Sequence, residues 1–290
     1  MIFTILGVVG VFALFACQRN AAAPSGLPRE IVVTADAFGI DVQPSAIRCH
    51  EIASRDGERQ CSSPVAVFKL GESSPRFRSY YAKKQPAEPL GQKEGAVIRT
   101  EEDLKRVSRT VDAQFAQWTE GLELSGEWQM VPPRWRERRP LRELENEDGY
   151  TFRWRLTRYQ EIPCFPSNVV DIQYDGMTGS VYAIVAHLGA FDESAYRFTS
   201  ADATRAANEY LEQSLSSEVR QQAGTVRRAE LMWVPARTRT ERASNTLDQI
   251  DLVRGYKVTY GDGQVMVLVN GLSNEVVDDS LAALLPRGHQ

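Results

Sequence analysis

The chain of 290 residues carries 34 basic and 38 acidic side chains, a formal net charge of −4, with 42% hydrophobic and 25% charged residues. That length is enough for two or three compact domains, each able to bury a core. The near balance of charge excludes a global field that would draw the molecule to nucleic acid or to an anionic membrane, so nucleic acid is not an expected partner.

Residues 1–16 differ from everything after them. Ile2 through Ala16 hold no charge, and Leu6, Val8, Val9, Val11, Phe12, Leu14 and Phe15 dominate. The run is shorter than the roughly 20 residues that span a bilayer and ends in small residues and a cysteine, as a processed export signal does. The stretch Leu14, Phe15, Ala16, Cys17 resembles the lipobox of bacterial lipoproteins, although Phe15 is bulky for its place and no Lys or Arg precedes the apolar run. An uncleaved anchor and an ordinary secretory signal are the other readings of this segment. The resemblance implies cleavage before Cys17 and a lipid on its thiol, so that the bilayer becomes a partner through acylated Cys17. With Gln18 following, it implies delivery to the outer membrane of the bacterial cell envelope, facing the periplasm. Acyl chains contribute about 0.8 kcal/mol per buried methylene, and two chains anchor stably. Residues 17–28, with Ala21, Ala22, Ala23, Pro24, Gly26 and Pro28, then form a lipidated tether.

Export permits disulfides, and lipidation of Cys17 leaves three cysteines. Cys49 and Cys61 flank a polar loop with Asp56 and Gly57, and a bridge between them is expected. Cys164 lies between Pro163 and Pro166. A reactive thiol assisted by His187 is the functional reading of it; a buried, unpaired cysteine is the favoured one.

Residues 29–84 are read as a small N-terminal β-rich region, with strands at Ile31–Ala35 and Val65–Leu70, and residues 85–95, with Pro86, Pro89, Gly91 and Gly95, as a linker. Beyond it, Leu104, Val107, Val111, Phe115 and Trp118 recur at spacings of three and four, which predicts a helix with one apolar stripe. Thr100 is placed to cap it, and Glu101, Glu102 and Asp103 complement the dipole at its start. A strand is expected at Leu124–Val131. Tyr150, Phe152, Trp154 and Leu156 alternate with Thr151, Arg153, Arg155 and Thr157, the period of a strand with one buried face. Strands at Val169–Tyr174 and Val181–Leu188 follow, joined through Asp175, Gly176, Met177, Thr178 and Gly179, a hairpin signal.

This order then recurs. Ser200 is read as the cap of a second helix, and Ala207, Leu211 and Leu215 stand one hundred positions after Val107, Val111 and Phe115. Glu127, Val131, Pro132 and Arg134 recur as Glu230, Val234, Pro235 and Arg237 at a constant offset of 103. Tyr256, Lys257, Val258 and Thr259 echo Trp154, Arg155, Leu156 and Thr157, and Asn270-Gly271 echoes Asp175-Gly176. The expected fold is α+β, with two tandem repeats, 96–190 and 198–282, of one helix packed on a four-stranded antiparallel sheet. The strand ending in Asp175, the turn at Thr178 and Gly179 and the strand beginning at Val181 resemble the pattern of PepSY-like domains, which Asn270, Ser273 and Asn274 approximate in the second copy. The resemblance covers about residues 100–280. It implies a module that acts on a peptidase by inhibition or chaperoning. A cystatin-like helix-on-sheet repeat is the alternative.

His50, His187 and His289 have no metal-ligand spacing, and no nucleophile elbow, phosphate loop or dinucleotide fingerprint occurs, so no metal, cofactor or catalytic residue is expected. Acidic pairs such as Glu101 with Glu102, Asp278 with Asp279, and Glu145 with Glu147 read as solvated charge. Both copies enter an Arg-rich loop after their matching strands: Arg134, Arg136, Arg138, Arg139 and Arg142, with Trp135 among them, then Arg237, Arg239 and Arg242. Guanidinium forks grip carboxylates and phosphates, but 28 of the 34 basic residues are Arg, so clusters arise from composition alone. The expected function is a non-enzymatic, membrane-anchored envelope lipoprotein that binds a protein or peptide partner, by strand addition to an exposed sheet edge. The alternative is an anionic glycan, lipid head group or acidic polymer held by the paired Arg loops.

Overall fold

The computed structural model describes residues 27–52, 57–72, 76–83, 97–131, 133, 149–238, 240–241, 250–263 and 265–280. It is an α+β protein with a large antiparallel sheet and few helices. None of the described helices is long and apolar enough to cross a membrane.

The first element corrects an expectation. Residues 31–35 are not a strand but the middle of helix α1 (Arg29–Phe38). The β-branched run Ile31, Val32, Val33 favours a strand locally, but Ile31, Thr34, Ala37 and Phe38 are buried at helical spacing, and Gly39 ends the helix in the left-handed conformation at φ 63°. A tertiary contact secures the helix, because the Trp118 indole N–H donates to the Thr34 hydroxyl at 2.9 Å. Strands β1 (Arg48–Glu51), β2 (Arg59–Ser62), β3 (Ala66–Leu70) and β4 (Phe77–Ala82) then form an antiparallel meander. Cys49 and Cys61 face each other across β1 and β2 and are bonded as a disulfide. A ring that short is worth about 3 kcal/mol in the chain-entropy model.

Helix α2 (Glu101–Gly121) buries the predicted stripe of Leu104, Val107, Val111, Phe115 and Trp118. A capping box starts it: the Thr100 hydroxyl accepts from the Asp103 N–H at 3.1 Å, and the Asp103 carboxylate accepts from the Thr100 N–H at 3.0 Å. Strands β5 (Glu127–Val131), β6 (Gly149–Tyr159), β7 (Ile162–Pro163), β8 (Val169–Asp175) and β9 (Ser180–His187) follow. The stripe lies on Phe152, Trp154, Val170, Ile172 and Ile184, with Phe115 stacked on Trp154 at 4.3 Å between ring centroids. The four-stranded sheet expected here is larger. Strand β4 pairs with β9, so residues 48–82 and the strands after α2 share one nine-stranded sheet in the order β1-β2-β3-β4-β9-β8-β6-β5, with β7 paired to β6. Tyr80 opposite Ile184 carries the apolar surface across that seam.

The rest of the chain forms β10 (Phe191–Asp192), α3 (Ser200–Ser214), α4 (Ser217–Ala223), β11 (Val226–Pro235), β12 (Leu252–Tyr260), β13 (Val265–Asn270) and β14 (Val276–Asp279). Four of these strands are antiparallel, and β10 adds to β12 in parallel, making five rather than four. Helix α3 buries Ala203, Ala207 and Leu211 against Tyr256, Val258, Val267 and Val269. Its cap is Thr199, not Ser200 as the sequence suggested. The Thr199 hydroxyl accepts from the Asp202 N–H at 3.3 Å, while Ser200 is already the first helical residue. Each helix entrance is pinned to a turn of its sheet. The Ile98 N–H donates to the Gly176 carbonyl and the Arg197 N–H to the Gly271 carbonyl, each at 2.8 Å.

The two sheets meet at Trp233, which is fully buried. Its indole N–H donates to the Tyr159 carbonyl at 3.0 Å, its own carbonyl accepts from the Phe165 N–H at 2.8 Å, and Phe191 stands edge-on to it at 5.0 Å. The chain passes between the sheets at Gly189, where a Cβ would overlap the Ile250 carbonyl. Glycine alone fits that approach.

Candidate functional site

Strand β5 ends the larger sheet. It pairs with β6 on one side and with no strand among the described residues on the other. Its burial alternates, with Trp128 and Met130 turned to the α2 core and Glu127, Gln129 and Val131 exposed. Gly126, at φ 113°, lets the strand begin in a bulge. A Cβ there would stand 2.5 Å from the Arg158 carbonyl oxygen. An open edge of this kind presents unpaired backbone donors and acceptors, a template for a further strand.

A cleft of about 510 Å³ opens over β5 and β6 and reaches the stretch after β7. Strand β5 supplies Gln129, Met130 and Val131; β6 supplies Arg155, Leu156 and Thr157; the stretch after β7 supplies Cys164 and Pro166. Register places Gln129 opposite Arg155 and Val131 opposite Arg153. Val131 is 39% exposed, one of few large apolar side chains so placed. Among the described residues, the cleft thus lies next to an edge strand and carries one exposed apolar side chain, Val131, and one guanidinium, Arg155.

Cys164 lies in the wall of this groove, buried. Burial pushes its thiol up to about 12. At neutral pH it is a protonated thiol whose Sγ reaches the Ile162 carbonyl at 3.8 Å, a small apolar group and not a nucleophile. Its burial matches the favoured sequence reading. His187 ends β9, paired with Val169.

The other expected site residues are placed as follows. Cys49 and Cys61 form the disulfide. Cys17 lies outside the described residues, as do Arg134, Arg136, Arg138, Arg139 and Arg142 of the first basic loop and Arg239 and Arg242 of the second. Arg237 is exposed just after β11. The described residues thus bring no pair of Arg loops together. Among them, no group of three His, Cys, Asp or Glu side chains is placed to hold a metal ion. Asp279, read from the sequence as solvated, accepts from the Tyr210 hydroxyl at 2.7 Å. Sequence reasoning missed Arg155 as a site residue, since alternation marks it only as one more outward side chain of β6. The signal that separates it from Arg153 is a counter-ion on another strand.

No family model matches this chain, and no curated protein matches it. Among solved structures, the Bacillus megaterium YpeB C-terminal domain aligns over 86% of this chain and 94% of its own, with a TM-score of 0.35 and 8% identity.

Proposed function

We propose that this protein is a lipid-anchored envelope protein, tethered through Cys17, whose body consists of tandem PepSY-like modules and binds an extended segment of a protein partner along the free edge of β5. The observation that carries the binding reading is the groove itself. A cleft of about 510 Å³ opens over β5 and β6, and the outer edge of β5 has no partner among the described residues. Added backbone hydrogen bonds would supply affinity, and the side chains beside them specificity. The duplication reading draws support from matching details: an Asp-based capping box on both α2 and α3, and in each case an entrance residue bonded to the glycine of the last hairpin. The turns correspond as well. Asp175 accepts from the Met177 and Thr178 N–H groups, and Asn270 accepts from those of Leu272 and Ser273.

The test is a photoreactive residue at Val131, with one at the exposed Glu102 on α2 as control, in the full chain within its native envelope. The Val131 probe is expected to join one partner segment at near-stoichiometric yield, and the amides of residues 127–131 are expected to exchange hydrogen more slowly in the complex. Indistinguishable crosslinks from the two probes, or unchanged exchange along β5 in a purified complex, would remove the reading.

A further inference from the structure

The outward arginines of β6 do not share one fate. Arg153 forks onto Asp171, with both nitrogen–oxygen distances at 2.6 Å. Arg158 has carboxylate oxygens of Glu127 at 3.8 Å and of Glu161 at 3.9 Å. Arg155 stands on the same face as Arg153, exposed, and has no hydrogen-bond or ion-pair partner among the described residues. Among the described residues it is also the one charged side chain that lines the cleft over β5 and β6. Gln129, opposite it in register, is neutral and offers further donors.

Resting on the strand-addition reading above, we infer that the edge of β5 takes an acidic extended segment, with a side-chain carboxylate of the partner on the Arg155 guanidinium and an apolar neighbour against Val131. The argument is charge complementarity. A lone guanidinium in an otherwise neutral groove repels cationic segments and gains a two-point, charge-assisted bond only from an acid. Period-two alternation then sets what surrounds the acid: the partner's residues two positions either way face the same side of the sheet, where the exposed Val131 favours an apolar side chain.

The experiment uses the full chain in neutral detergent micelles. Two pools of fluorescein-labelled heptapeptides of alternating Thr and Val are compared, one with a single Glu scanned through every position and one with Gln in its place. The Glu pool is expected to bind about fivefold to tenfold more tightly at 0.15 M salt, by a margin that shrinks as salt rises. Arg155→Gln is expected to weaken the Glu pool about fivefold to tenfold, down to the level of the Gln pool, and to weaken the Gln pool by far less. Equal binding of the two pools, or an equal effect of R155Q on both, overturns the acidic assignment while β5 amide protection by either pool keeps strand addition. Failure of both pools to protect β5 overturns both readings together. A dimer that forms without peptide and protects the same amides gives the groove to a second copy of this chain and overturns the proposal.

Discussion

Trp233 joins three kinds of contact in one side chain: a hydrogen bond from its ring to the first sheet at Tyr159, ring contacts to Phe191 and Tyr159, and the Arg254 guanidinium 5.4 Å above it. Because it is fully buried where the sheets meet, truncation leaves a cavity with a Tyr159 carbonyl at its edge. Trp233→Ala is expected to cost about 3–5 kcal/mol, and Trp233→Phe, which keeps most of the volume but loses the indole N–H, about 1–2 kcal/mol. Urea unfolding of the two variants measures both values. A loss under 1 kcal/mol for the alanine variant would mean that the junction contributes little to holding the sheets. Arg155, the proposed contact, has no hydrogen-bond or ion-pair partner among the described residues, whereas Arg153 forks onto Asp171 and Arg158 lies near Glu127 and Glu161.

Helices α2 and α3 both begin in a capping box with Asp at the third position, and this makes their first turns sensitive to acid. The Arg106 guanidinium, then the N–H groups of Arg99 and Thr100 and the Thr100 hydroxyl, hold the Asp103 carboxyl down at about 2. Asp202 is lowered as well, chiefly by the Thr199 hydroxyl. A carboxyl whose folded value lies below the unfolded value of about 3.9 stabilises the fold fully above that pH and stops doing so as pH falls through the folded value. The cap of α2 is therefore intact at pH 5 and is lost progressively from about pH 4 to about pH 2. The carbon resonance of the Asp103 carboxyl should titrate with a midpoint near 2. A midpoint near 4 would show the box to be open in solution. In Asp103→Asn, amide exchange over residues 101–104 should already be fast at pH 5 and gain nothing further over that interval.

At the scale of the whole molecule, the proposed tether and the proposed groove are separable. Lipidation of Cys17 is expected to appear in the intact mass of membrane-extracted protein as a chain beginning at residue 17 with acyl groups added, and Cys17→Ser should leave the protein in the soluble fraction of the envelope. A product that still begins at Met1, or an unmodified Cys17, would dismiss the lipoprotein reading without touching the groove. Conversely, the C17S protein should bind the same acidic peptides, because β5 and Arg155 belong to the sheet formed by strands between residues 48 and 187.

Local pattern was enough wherever one element's own residues decide its form. The α2 stripe, the alternation of β6, the Asp175 hairpin and the Cys49–Cys61 pairing were all legible, because helical period, strand period, turn chemistry and short-range ring closure act over a few to a dozen residues. Residues 31–35 misled for the same reason: three β-branched side chains favour a strand until Thr34 finds Trp118, which is 84 positions away. The cap at Thr199 was missed by one residue because Ser200 is an equally good oxygen acceptor and only backbone geometry chooses between them. What the amino-acid order by itself determined about this protein is thus the form of α2 and β6, the Asp175 turn and its disulfide. Only tertiary structure decided that β4 docks on β9 to make one broad sheet, that β5 is left at its edge, and that Arg153 rather than Arg155 meets an acid. Strand neighbours far apart in the chain are chosen by which apolar faces can be buried together. No local period records that choice.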